Sequence, residues 1–84
     1  MKNHAQIRVS ELRIRAEAVS EISNYAKAAY EKYDAQKDAQ RKEGVGSAIT
    51  ALAALMLKWD REIRKLNPDE PGLPGEYFRT GNGH

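Results

Sequence analysis

Histidines, paired carboxylates and a glycine-rich turn are the groups in this chain that could do chemistry. None is well placed for it. The two histidines, His4 and His84, sit near the two ends and in no metal-ligand spacing. The chain has no Cys, which removes a thiol nucleophile, a disulfide framework and a Cys-based zinc site. Glu17 and Glu21, like Asp34 and Asp38, stand one helical turn apart. Such pairs suit general acid–base work when an apolar pocket raises one pKa, but here compensating cations surround them. Gly44-Val45-Gly46-Ser47 precedes a helical stretch, and a helix N-terminus can hold an anion. No G-K-[ST] follows, so the glycines read as a helix break. The sequence has no G-x-S-x-G either. The expectation is a protein that is not an enzyme, with no catalytic residue, no metal ligand, no cofactor-binding residue and no cofactor.

Binding has more to work with. Lys58, Arg61, Arg64 and Lys65 crowd the end of the second helical stretch, and Arg8, Arg13 and Arg15 lie near the start of the chain. Cations at a helix C-terminus suit the helix dipole, but a basic end can also grip phosphates. These seven are the candidates for anion or nucleic-acid contact. In the tail, Leu73, Tyr77, Phe78 and Arg79 have the composition of an anchor for another protein, aromatic with an arginine.

The elements behind these residues are helical. Ile49, Leu52, Met56, Trp59, Ile63 and Leu66 fall on one line, spaced three and four apart, the seam of a helix over about 47–66. From Ser10 to about Glu43 no Pro or Gly interrupts a run dominated by helix formers. Its main apolar stripe includes Leu12, Ala16, Val19 and Ile22, and a weaker one, Ile7, Ile14, Ala18 and Tyr25, lies roughly opposite. Residues 1–9 allow a short alternating strand or, through the Asn3 and Gln6 pair, a helix cap. Asp34–Lys37 and Asp38–Lys42 are spaced to pair along the helix surface. After Leu66, Asn67-Pro68 stops the helix and an extended Pro/Gly-rich tail follows, with GNGH at its end expected to be disordered. The fold class is therefore all-α. It comprises a helical hairpin domain over 1–66, with helix one about 10–43 and helix two about 47–66, and an extended tail over 67–84.

A hairpin folded at residues 44–46 leaves a mismatch. It sets residues i and j opposite where i + j is roughly 90, so the apolar Ala48–Leu57 run faces the polar end of helix one. The start of helix one then overhangs with nothing to cover it. A second copy supplies the missing surface, so an oligomeric, dimeric bundle is expected. Its interface would draw on Leu12, Val19, Ile22, Ile49, Leu52, Leu55, Met56 and Trp59.

The 84 residues make one small domain of net charge +2. Residues 1–15 and 58–65 are basic, and residues 66–84 are acidic. The start lacks a signal-peptide core, and the longest apolar run falls short of the ~20 residues that span a bilayer. A cytoplasmic protein with no membrane partner is expected.

QIRVS followed by ELRIRAEAVSEI, and later GVGSAITALAALMLKW, faintly resembles ribbon-helix-helix DNA-binding proteins. That resemblance implies a dimer whose strand reads the major groove, but the helix between is longer than in that family. Tyr30-Glu-Lys-Tyr-Asp34 is similar to the Y-x-x-x-D element of small secreted helical-hairpin proteins, without their W-x-G turn. By composition the chain also looks like phage and prophage accessory proteins that bind and inhibit or regulate host proteins. The leading expectation is a non-enzymatic interaction module that partners itself and another protein. The alternatives are a small dimeric DNA-binding regulator and a structural subunit of a larger assembly.

Overall fold

A computed structural model describes residues 3–79. Two helices, α1 (His4–Ala35) and α2 (Ala39–Leu66), pack against each other as a hairpin, and a 3-10 turn (Gly75–Phe78) follows. No strand occurs among the described residues. The GNGH end, with its expected disorder and His84, lies outside them.

The first helix starts six residues earlier than the expected Ser10. The Asn3 side chain accepts from the Gln6 N–H at 2.9 Å, and the Gln6 side chain accepts from the Asn3 N–H at 3.3 Å. This reciprocal cap satisfies two amides at the helix start and decides in favour of helix from His4 on, with residues 1–2 of the ambiguous stretch outside the described residues. At the other end, Asn67 takes an extended conformation (φ −147°, ψ 90°) because Pro68 disfavours helix in the residue before it.

The turn is not where the glycines suggested. It lies at Gln36-Lys37-Asp38, and Gly44 and Gly46 sit inside α2. Lys37 takes the left-handed conformation (φ 58°), and the Asp38 side chain caps α2 by accepting from the Arg41 N–H at 3.2 Å. The expected surface pairs give way accordingly. Asp34 bonds Lys42 across the turn at 2.9 Å, and Asp38 pairs with Arg41 at 3.5 Å. Gly46 has a packing role: a Cβ there would come within 3.2 Å of the Tyr30 ring.

Magnitudes explain the choice. Two helical glycines cost about 1 kcal/mol each relative to Ala, and a left-handed Lys about 1–2 kcal/mol. In return the helices, 32 and 28 residues long, pair along almost their whole length, and no long overhang remains. Val9 and Leu12 are thereby covered and Val19 is partly so, and each fully buried aliphatic side chain of this size is worth ~1.5–3 kcal/mol. The core joins Val9, Leu12 and Ala16 of α1 to Met56 and Ile63 of α2 and to Leu73 of the tail. Leu12, Ile49 and Met56, expected between copies, are closed off inside the single chain. The overhang on which that expectation rested does not exist.

Candidate functional site

The hairpin has a face covered by its own tail and a face that is open. On the covered face, Arg13 holds the tail. Its guanidinium donates to the Pro71 carbonyl at 2.6 Å and the Gly72 carbonyl at 3.5 Å, and pairs with Glu70 at 3.2 Å. Asp60, 6% exposed, accepts the Leu73 N–H at 2.7 Å and the Arg64 Nε–H at 3.1 Å. A buried carboxylate is tolerable only with such partners. Gly72 leaves room at this crossing, because a Cβ there would have to displace the ends of the Asp60 and Arg64 side chains. Leu73 enters the core, and Tyr77 and Phe78 pack half-buried against it. Three of the four tail residues expected to grip a partner are thus engaged within the chain, while Arg79 is exposed.

The open face follows from one ion pair. Arg8 Nε donates to Glu62 Oε2 at 2.7 Å across the two helices. Every seventh residue of a helix returns to nearly the same line. Arg15, Ile22 and Ala29 therefore follow Arg8 along α1, while Leu55 and Ala48 follow Glu62 along α2. Between the two lines lie Val19, Ala26, Leu52 and Trp59, all half-buried. Ile22 is 56% exposed and Leu55 38%. Five of the eight residues expected at an interface between copies therefore share this face: Val19, Ile22, Leu52, Leu55 and Trp59. The Arg8 hydrogen bond, and next the charges of Arg8, Lys58 and Arg15, hold the Glu62 carboxyl below its ordinary value against some opposing desolvation.

The seven candidate cations divide. Arg8, Arg13 and Arg64 are in ion pairs, whereas Arg15, Lys58, Arg61 and Lys65 make none among the described residues. The outer side of α1, turned away from α2, carries the weaker stripe read from the sequence. Ile7 is 45% exposed, Ile14 68% and Tyr25 80%. Sequence spacing marked this stripe but could not say that none of the described residues covers it.

One groove, of about 470 Å³, opens where α1 meets the end of the tail. Glu17, Glu21, Lys27, Glu76, Tyr77 and Arg79 are among its lining residues, with Ser23 beneath. Ser23 is 2% exposed, and its hydroxyl has no hydrogen-bond partner among the described residues. Among the described residues no cluster of three or more His, Asp or Glu could hold a metal ion, and no helix is long and apolar enough to cross a membrane. Comparison of the chain with family models, with curated proteins and with solved structures finds no match.

Proposed function

We propose that this chain is a non-catalytic protein-interaction module that works as a homodimer and regulates another protein by binding it. The observation that carries the self-association is the open face. Domains close by packing one layer of secondary structure on another. Here the tail supplies a second layer on one side only. The other side carries Ile22 and Leu55 exposed and Val19, Ala26, Leu52 and Trp59 half-buried. Two such faces laid together make a four-helix bundle, the standard burial for an apolar strip between two antiparallel helices.

The test is the mass in solution. Light scattering after size exclusion should give twice the 9.4 kDa of the chain, and Leu55→Glu should return it to 9.4 kDa with helix content unchanged. A wild-type chain that stays at 9.4 kDa at the highest concentration overturns the dimer.

Nucleic-acid binding is the second reading, and Arg15, Lys58, Arg61 and Lys65, in no ion pair among the described residues, favour it. It requires retardation of a DNA duplex that falls steeply with salt.

A further inference from the structure

The last turns of α2 carry a basic ridge on the side turned away from α1. Met56 and Ile63 face the core there. With 3.6 residues to a turn, roughly, Lys58, Arg61 and Lys65 then point the opposite way. All three are exposed, and none is in an ion pair among the described residues.

The neighbouring carboxylates are engaged elsewhere. From Ser47 to Leu66 they are Asp60 and Glu62. Asp60 is buried under the tail, where it accepts the Leu73 N–H, and Glu62 turns toward α1 to hold Arg8. Past the helix end Asp69 is exposed, so the ridge sets three cations against that one carboxylate. Arg64, paired with Asp60, stands beside them with its side chain 60% exposed.

The helix dipole explains only part of this, because its pull on a cation fades within the last turn. Lys65 stands in that turn, whereas Lys58 and Arg61 lie further in. The ridge also offers charge without an anchor. Ala51 and Ala54 continue it toward the middle of α2, Leu57 lies on its tail-side flank, and Trp59 turns to the open face. Protein interfaces centre on bulky anchors such as aromatics, and a helix lying on a membrane needs an apolar side to insert. Contacts to phosphate need neither.

We infer that Lys58, Arg61 and Lys65 form a contact for the phosphodiester backbone of a DNA duplex, made without regard to base sequence. The three span about 10 Å of helix, one edge laid along a strand. This rests on the nucleic-acid reading above and gives it a place, the outside of α2 instead of the arginines of α1. Two chains joined through their open faces would carry one ridge on each outer side.

Fluorescence anisotropy of the full chain with two short labelled duplexes of unrelated sequence tests this. Both should bind alike. Three phosphate contacts give a slope of about −2.7 for log affinity against log salt, or about a fortyfold loss between roughly 50 and 200 mM. Lys58→Gln and Lys65→Gln, at exposed positions, should each make the slope shallower by about 0.9 with helix content unchanged. Arg15→Gln, on the other side of the Glu62 carboxyl, should leave the slope as it was. Duplex binding that depends on Arg15 and ignores the ridge cations would overturn this assignment and spare the nucleic-acid reading. Binding to neither duplex at low salt would overturn both. A preference of about tenfold for one duplex, or capture by phosphatidylserine vesicles in place of DNA, would also overturn the assignment.

Discussion

The two faces of the hairpin draw on the same two helices but are finished differently. On the covered face two charged side chains are tied to the tail: Arg13 on the tail carbonyls and Glu70, Asp60 on the Leu73 amide and also on Arg64. On the open face the interhelical ion pair Arg8–Glu62 stands beside apolar side chains left half-exposed. The contrast teaches that a short tail can complete a small core on one side only. Thirteen residues, 67–79, close over Leu12, Met56 and Ile63 but cannot also wrap the back.

The sharpest break of this comparison is a matched pair of truncations. Leu73→Ala on the covered side should cost about 2–5 kcal/mol in a urea melt, because it empties a packed site. Ile22→Ala on the open side should cost a lone chain under about 0.5 kcal/mol, as surface changes do. An Ile22→Ala loss that grows with protein concentration would place that side chain in a contact between copies.

A smaller effect tests the register on which both faces depend. Gly44 lies inside α2 with nothing within 4 Å of where its Cβ would be. Gly44→Ala should therefore stabilise by roughly 0.5–1 kcal/mol. A hairpin that turned at the glycines would lose stability from the same change.

The smallest effect is a pH dependence on the open face. Because the folded Glu62 carboxyl is held below its ordinary value, its contribution is present above the unfolded carboxylate pKa. It is lost as pH falls through the folded one. Melts of wild type and Glu62→Gln should differ near neutrality and converge on acidification, modestly, since the pair is solvent-screened.

Much of this architecture was legible in the chain. Within the three-and-four spacing, Ile49, Met56 and Ile63 mark the inward side of α2 while Leu52 and Trp59 sit at its edge, and Asn3 with Gln6 marks the start of α1. The turn was not legible, because local signals and pairing disagreed there. Glycine is the commonest helix terminator, and Gln36-Lys37-Asp38 contains neither Gly nor Pro. What moved the turn was long-range burial at Val9 and Leu12, which no window around residue 44 can register. The same displacement turned Leu12, Ile49 and Met56 from interface candidates into core. The tail was half legible. Its apolar points stood out, but its anchors, Arg13 and Asp60, lie more than ten residues away and read as ordinary helix-surface charges.

The separation of contacts along the chain carries a consequence for how the hairpin assembles. Asp34 and Lys42 are eight residues apart, whereas Arg8 meets Glu62 across 54 and Arg13 meets Pro71 across 58. Closing a longer loop forfeits more chain freedom before any contact rewards it. Zippering should therefore begin at the Lys37 bend and run outward, while the Leu73–Asp60 contact, only 13 residues apart, closes locally and the Arg13 grip on the strap forms last. In hydrogen exchange, amides of the strap should open most readily and those around the middle of the rods most slowly.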